Sequence, residues 1–169
     1  MDNSVSISRA GVGDIPAICR TAEEVWPKVY ASILSPEQIS YMMDMMYSPS
    51  VIRQEMESGV LWLTAKVNGE ITGYASFYRT TFDNIPVVKL DKIYLRESIR
   101  GIGVGKALLT SVINEAKNSG ASKVILNVNK YNTAAQAAYK SWGFTTAKSE
   151  INDIGNGFVM DDFVLALDI

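Results

Sequence analysis

A run of alternating glycines between a strand pattern and a helix pattern constrains this chain most strongly. The apolar pattern of Val87–Leu95 predicts a strand, and residues 100–106 (Arg-Gly-Ile-Gly-Val-Gly-Lys) separate it from a helix that begins near Val104. Such a connection brings unpaired backbone N–H groups and the positive end of a helix dipole to one place. Arg100 and Lys106 add two cationic side chains. The segment therefore predicts a phosphate-binding loop, with a tight packing turn as the alternative.

The spacing of these glycines excludes two common nucleotide-binding motifs. Counting from Gly101, Lys106 stands where the dinucleotide-binding motif has its last glycine. Arg100 stands where a Walker loop has its first glycine, and Ala107 replaces the metal-binding Ser or Thr of that loop. The loop therefore predicts a phosphate-containing ligand that is bound in another way.

The composition limits the classes of protein that fit this chain. It has 169 residues, of which 47% are hydrophobic, a net charge of −2 and no histidine. We expect a single domain over residues 1–169, and an acidic chain without a basic stripe is not expected to bind nucleic acid. The lack of histidine excludes Ser-His and Cys-His catalysis and most zinc sites, so no metal is expected. The single cysteine, Cys19, fits a reducing cytoplasm, and no apolar run approaches the ~20 residues that span a bilayer.

Hydrophobic periodicity and turn residues predict an α/β (α+β) domain around one sheet. Asp14 is the predicted N-cap of a first helix, which Pro27 should kink or break near Trp26. Asn68-Gly69 is typical of a hairpin turn. The other predicted helices begin at Ser35-Pro36, follow Pro49, and span Val104–Asn118 and Asn132–Trp142. The predicted strands are Val5–Ser8, Leu61–Val67, Ile71–Tyr78, Val87–Leu95, Val124–Val128 and Phe158–Leu167.

A second pattern lies in the predicted helix that starts at Asn132. Asn132 and Tyr139 are seven residues apart and share a helical face with Ala135. The small side chains of Ala135 and Ala138 leave room for a thin ligand on this face. Asn132 is either a plain N-cap or a ligand contact, and Tyr139 taken alone is typical of a half-buried packing residue.

Together, these two segments resemble the signature motifs of the GNAT superfamily of N-acetyltransferases. The motif Gln/Arg-x-x-Gly-x-Gly/Ala is matched by Arg100, Gly103 and Gly105. The motif Asn-x-x-Ala-x-x-x-Tyr-x-x-x-Gly-Phe is matched by Asn132, Ala135, Tyr139, Gly143 and Phe144. The motifs occur in the family's order, and the order of predicted elements extends the resemblance over the whole chain. The resemblance implies a mixed, mostly antiparallel sheet flanked by helices, with central strands that splay apart.

The resemblance also implies acetyl-coenzyme A (acetyl-CoA) as the donor substrate. On this basis, the backbone of Ile93, Tyr94 and Leu95 pairs with the pantetheine arm, and Asn132, Ala135 and Lys140 are further contacts. An amide near Tyr94 or Leu95 can donate to the thioester oxygen as negative charge develops. The pyrophosphate is expected to contact Arg100 and the backbone amides of Gly101, Gly103, Val104, Gly105 and Lys106.

Acetyl transfer to an amine requires two proton movements. A primary ammonium has a pKa of about 10.4, so its deprotonation at neutral pH costs roughly 4–5 kcal/mol. Asp91 shares a strand face with Lys89 and is the predicted base, with a structural or surface aspartate as the alternative. Tyr139 matches the family's general-acid tyrosine, and a phenol remains protonated at neutral pH and can donate to the leaving thiolate.

The acceptor site is the least constrained part of the sequence. Trp26, Tyr30 and the methionines at 42, 43, 45 and 46 can line an adaptable apolar wall, although such residues are more often core. Asp162 interrupts the apolar last strand and is a predicted acceptor contact, with a solvated strand edge as the alternative. The reserve carboxylates, which can serve as the base or attract a cationic tail, are Glu23, Glu24, Asp161 and Asp162.

The motifs and the resemblance predict an N-acetyltransferase that moves an acetyl group from acetyl-CoA to a primary amine by direct attack in a ternary complex. A small amine or polyamine is the favoured acceptor. The alternatives are a peptide N-terminal or amino-acid acetyltransferase, and a non-catalytic acyl-CoA-binding regulatory domain. We expect a cytoplasmic protein with no membrane partner, and family members often form homodimers.

Overall fold

The computed structural model describes residues 4–169, in which one seven-stranded sheet is combined with five α-helices. The helices are α1 (Ile15–Tyr30), α2 (Pro36–Tyr47), α3 (Pro49–Glu57), α4 (Val104–Asn118) and α5 (Thr133–Ser141). The strands are β1 (Val5–Arg9), β2 (Leu61–Val67), β3 (Glu70–Phe82), β4 (Ile85–Leu95), β5 (Lys123–Asn129), β6 (Thr145–Gly155) and β7 (Phe158–Asp168). This architecture confirms the predicted α/β class. Among these helices, none combines the length and the apolar character needed to cross a membrane.

The strand order of the sheet is β1-β2-β3-β4-β5-β7-β6. The β1–β2, β2–β3, β5–β7 and β6–β7 pairs are antiparallel, whereas β4 and β5 are parallel. A parallel pair needs a long crossover connection, which contains α4 here. The registered β4–β5 pairs run from Val88↔Val124 to Leu90↔Leu126, and both strands continue beyond the last of these pairs.

The predicted starts of α2 and α4 are confirmed. Ser35 Oγ accepts a hydrogen bond from the backbone N of Gln38 at 3.1 Å, and Pro36 occupies the first helical position, where no N–H is needed. The bounds of α4 are those predicted from its apolar face. The buried side chains of α4 include Leu108, Leu109, Val112 and Ala116.

Two predictions about α1 are met only in part. Asp14 occupies the N-cap position, but its side chain does not cap the helix, because Asp14 Oδ2 accepts a hydrogen bond from the backbone N of Gly11 at 2.9 Å in the preceding 3-10 turn. Pro27 does not end the helix at Trp26, since α1 continues to Tyr30. The proline removes a hydrogen-bond donor only near the helix end, where Trp26 and Tyr30 are buried in the core.

Strand β6 is not predicted by any pattern in the sequence. Among residues 4–169, this strand pairs only with β7 at the end of the sheet order, and most of its side chains are exposed. A polar edge strand lacks the apolar alternation by which strands are recognised. The β6–β7 turn nevertheless contains Asn156-Gly157, with φ angles of 55° and 79°, which resembles the predicted Asn68-Gly69 turn with 52° and 85°.

The chain divides into two compact units. The first comprises the residues up to Tyr78 together with Lys92–Val112, and aromatic side chains form much of its core. The second comprises Arg79–Asp91 and Ile113–Ile169. A core cluster of the second unit consists of Val87, Ile125 and Val164, packed against Phe82 and Ala166.

Candidate active site

The predicted phosphate-binding loop lies in the first unit and leads into α4. Gly101 and Gly103 have φ angles of +84° and +87°, in the left-handed region that other residues rarely adopt. Among residues 4–169, a Cβ atom at either position would meet no atom within 4 Å beyond the adjacent residues. The backbone conformation therefore requires these glycines, and the space beside the loop is open.

The first turn of α4 presents backbone N–H groups to this loop. Ala107 N donates to Gly103 O at 3.0 Å. The backbone amides of residues 104–106 precede this first hydrogen bond of the helical pattern. The side chains of Arg100 and Lys106 are exposed. The amides, the helix dipole and the two cations together fit a pyrophosphate, as the sequence predicts.

The end of β4 approaches β3 closely in the first unit. Ile93, Tyr94 and Leu95, the predicted pantetheine contacts, are half-buried. Gly73 on β3 permits the approach, because a Cβ atom there would collide with the Leu95 side chain and lie 3.0 Å from Tyr94 O. Arg96 N also donates to Thr72 O at 2.9 Å. These contacts fix the backbone of β4 at the residues predicted to bind the donor.

Trp26 and Tyr30 belong to a buried aromatic cluster that includes Tyr94. The Oη atoms of Tyr30 and Tyr94 are 2.9 Å apart, and the Trp26 ring centre lies 4.2 Å from that of Tyr30. In the same unit, Tyr74 Oη donates to Tyr47 Oη at 2.7 Å, and burial raises the pKa of both phenols well above the ordinary value. The methionines divide, with Met42 buried and Met45 exposed. Trp26 and Tyr30 thus lie in the core, which was the predicted alternative to direct acceptor contact.

The predicted general acid lies on α5 in the second unit. Asn132 caps this helix, because its Oδ1 accepts a hydrogen bond from Ala135 N at 3.3 Å. Tyr139 is half-buried, and its ring meets those of Trp142 and Phe144 edge-on, with centres 6.0 Å and 5.7 Å away. These contacts hold the ring of Tyr139 and do not involve its hydroxyl group.

A row of polar side chains crosses the sheet of the second unit. Asn127 Nδ2 on β5 donates to Glu150 Oε1 on β6 at 2.8 Å and lies 3.4 Å from Asp162 Oδ2 on β7. The row therefore joins a predicted acceptor contact, Asp162, to β5 and β6. Asp91, the predicted base, is exposed on β4 directly after the last registered β4–β5 pair.

The two carboxylates that contact Asn127 have pKa values that are shifted in opposite directions. Asp162 is 6% exposed, and its Oδ1 has no hydrogen-bond partner among residues 4–169. Burial raises the pKa of Asp162 above its ordinary value. Hydrogen bonds from Asn152 and Asn127 instead lower the pKa of Glu150. The solvated-edge interpretation of Asp162 is therefore wrong, because the carboxylate is buried and incompletely satisfied.

Two other predicted residues of the second unit are a surface lysine and an ion-paired aspartate. Lys140 is exposed on α5, and Asp161 forms an ion pair with Lys130. Asn127 interrupts an otherwise apolar strand, a signal that identifies it in retrospect, whereas Glu150 lies on the unpredicted β6. Within residues 4–169, no group of three or more His, Cys, Asp or Glu side chains is arranged to hold a metal ion.

The sequence matches those of known acetyltransferases. The sequence model of the Acetyltransferase (GNAT) family matches residues 26–144. An uncharacterized N-acetyltransferase of Mycobacterium tuberculosis is 30% identical over 132 residues, which cover 78% of this chain and 83% of that protein. A spermidine N(1)-acetyltransferase of Thermoplasma acidophilum is 24% identical over 163 residues, which cover 94% of this chain and 96% of that protein.

The fold is also shared with an acetyltransferase of known structure. The crystal structure of the PaiA N-acetyltransferase from Thermoplasma acidophilum in complex with coenzyme A superposes with a TM-score of 0.81 at 23% identity. The superposition covers 98% of this chain and 99% of the other. The region matched by the family contains both the glycine-rich loop and the Asn132–Phe144 motif. The chain therefore belongs to the GNAT family of acetyltransferases.

Proposed function

We propose that this chain acetylates a small primary amine, with a polyamine as the favoured acceptor. As a member of the GNAT family, it is an N-acetyltransferase that uses acetyl-CoA. The loop at residues 100–106 carries the proposal for the donor, because its glycines, helix amides and two cations suit a pyrophosphate. The similarity to a spermidine N(1)-acetyltransferase over nearly all of both chains supports the amine acceptor.

Donor binding is proposed to rely on backbone groups more than on side chains. The amides of Gly101, Gly103 and residues 104–106 hold the pyrophosphate together with Arg100. The backbone of residues 93–95 pairs with the pantetheine arm in the manner of an added strand. Asn132, Ala135 and Lys140 contribute contacts from α5.

The proposed reaction makes Asp91 the base and Tyr139 the acid. Asp91 accepts a proton from the acceptor ammonium, and the neutral nitrogen attacks the thioester carbon. The carbon–sulfur bond then breaks, and Tyr139 donates a proton to the leaving thiolate. The acylated nitrogen gives its excess proton to the Tyr139 phenolate, which restores the phenol, and Asp91 releases its proton to water. The products are an N-acetylated amine and free coenzyme A. Trp26 and Tyr30 shape the acceptor wall through their contacts with Tyr94, and Asp162 contacts the acceptor.

An amine panel tests this proposal. Thiol release from acetyl-CoA is measured with spermidine, 1,4-diaminobutane, 1-aminobutane, an L-amino acid and a peptide with a free N-terminus. We expect the highest kcat/KM with the amines. Release with the peptide or the amino acid alone would instead identify one of the other acceptor classes. Binding of coenzyme A without thiol release on any acceptor would identify a non-catalytic domain.

A further inference from the structure

The Asp162 carboxylate is the least satisfied buried charged group of the second unit. Its side chain is almost fully buried, yet only Oδ2 has a contact, with Asn127 Nδ2 at 3.4 Å. Asp162 Oδ1 has no partner among the described residues. A buried carboxylate without hydrogen bonds costs free energy, and such groups are normally paired. The structure thus keeps an acceptor atom for a donor that the described chain does not supply.

The side chains around Asp162 are already engaged elsewhere. Glu150 accepts hydrogen bonds from Asn127 and Asn152 and forms an ion pair with Lys148 at 3.2 Å. Asp161, the preceding residue, forms an ion pair with Lys130. The charge of Lys89 on β4 favours the ionised form of Asp162, whereas the charges of Glu150 and Asp161 oppose it. The surroundings therefore hold Asp162 in place without neutralising it fully.

The chemistry of this carboxylate selects a cation that can donate a hydrogen bond. An anion would be repelled by Asp162 and Glu150, and an apolar group would leave Oδ1 without a partner. A protonated amine supplies both an N–H donor and a positive charge, and charge-assisted hydrogen bonds of this kind are the strongest. Its binding would satisfy Oδ1, to which the neighbouring side chains would have to open access, while Asn127 holds the other oxygen.

From these contacts we infer that Asp162, positioned by Asn127, binds a protonated amino group of the acceptor and selects acceptors that arrive as cations. This inference deepens the proposed function and depends on it for the identity of the acceptor as a substrate. The bound ammonium is either the group that becomes acetylated or a second amino group of a diamine. Both sources present the same chemistry to Asp162, and the experiment separates them.

The test compares Asp162→Asn with Asp168→Asn, which makes the same chemical change on the same strand. Asp168 is exposed and pairs with Lys123 at 3.0 Å, so it serves as the matched control. We expect Asp162→Asn to raise KM for 1,4-diaminobutane at least about tenfold, with KM for acetyl-CoA unchanged, as loss of a charge-assisted hydrogen bond implies. An equal rise for 1-aminobutane identifies the reacting ammonium, and a rise for the diamine alone identifies the second one. Unchanged KM values for both amines would overturn the inference.

Thermal stability distinguishes the proposed role of Asp162 from a structural one. A structural residue would lower stability when it is replaced, whereas replacement of an unsatisfied buried carboxylate should not. The pKa of Asp162 is raised in the folded chain, so folding stability falls as the pH rises through that value. Asp162→Asn removes this cost, and its unfolding temperature at neutral pH should equal or exceed that of the wild type. The difference should shrink as the pH falls through the raised pKa of Asp162 and should vanish below the ordinary pKa of aspartate. A clear loss of stability with normal amine kinetics would make Asp162 a structural residue.

Calorimetric titration of the wild type and variants with 1,4-diaminobutane separates this inference from the proposed function. If no amine is acetylated, the proposed function fails, but diamine binding that Asp162→Asn weakens at least tenfold would still support the cation site. Diamine binding that is equal in the wild type and in Asp162→Asn would overturn it. Asp162→Ser offers a second charge-removing variant in case the asparagine variant does not fold.

Discussion

At the scale of single residues, Tyr139 combines a fixed ring with a hydroxyl group whose proposed role is chemical. The edge-on contacts with Trp142 and Phe144 involve only the ring. Such contacts contribute about 0.5–1.5 kcal/mol per pair, and phenylalanine retains them. The structure thus allows the hydroxyl to be removed with the ring packing preserved.

We expect Tyr139→Phe to lower kcat at least about tenfold, because general-acid catalysis commonly contributes two or more orders of magnitude. Acetyl-CoA binding should be nearly unchanged, since the hydroxyl group is proposed to act on the leaving thiolate. Steady-state kinetics and calorimetric titration with coenzyme A measure the two quantities. Tyr131→Phe is the control, because Tyr131 is 69% exposed and loses the same group. Unchanged turnover in Tyr139→Phe would remove the general-acid role.

Residue identities predicted some local features of the candidate site but not its polar row. The N-cap position of Asn132 could be predicted, because the residue that its side chain contacts lies only three positions later in the sequence. The link from Asn127 to Glu150 and Asp162 depends on three strands that meet only through their register. The burial of Asp162 could not be predicted for the same reason. An acidic residue in a strand is expected to be exposed to solvent unless its neighbours are known.

At the scale of elements, the connection from β4 to α4 contains two residues in a left-handed conformation that glycine adopts more easily than other residues. Gly101 and Gly103 take positive φ angles without crowding from other atoms of residues 4–169. A substitution there changes the loop through backbone strain alone. The consequence for ligand binding can therefore be separated from the consequence for packing.

We expect Gly103→Ala to raise KM for acetyl-CoA several-fold or more, because the left-handed conformation costs a residue with Cβ roughly 1–2 kcal/mol and the loop amides would shift. Gly59→Ala is the matched control, since Gly59 has a φ of +98° and equally open surroundings after α3. Both variants should lose similar stability in thermal unfolding. Equal KM values for acetyl-CoA in both variants would show that the loop does not bind the donor.

Elements with local signals were predicted accurately, and those governed by the rest of the fold were not. Ser35-Pro36 specifies the start of α2 through contacts within four residues. Pro27 by itself predicts a helix end. The last turn of α1 is nevertheless helical, because Trp26 and Tyr30 are buried in the core. The strand β6 has almost no buried face, so its existence depends on hydrogen bonds to β7 that no local pattern reveals.

At the scale of the whole molecule, the boundaries of the two compact units fall inside regular elements. One boundary lies between Asp91 and Lys92 in the middle of β4, and another between Val112 and Ile113 in α4. Domain boundaries usually lie in exposed flexible linkers instead. The single domain over residues 1–169 stays a prediction, which an unfolding experiment can test.

We therefore expect thermal unfolding to be a single cooperative transition. Melting one unit alone would leave α4 and β4 broken within their hydrogen-bonded runs, which is unfavourable for elements that form cooperatively. In Trp142→Phe, the remaining Trp26 and Trp62 report on the first unit only, whereas far-ultraviolet circular dichroism reports on the whole chain. The two melting curves should coincide, and the calorimetric enthalpy should equal the van't Hoff enthalpy. Separate transitions would show that the units unfold independently and that the chain comprises two domains.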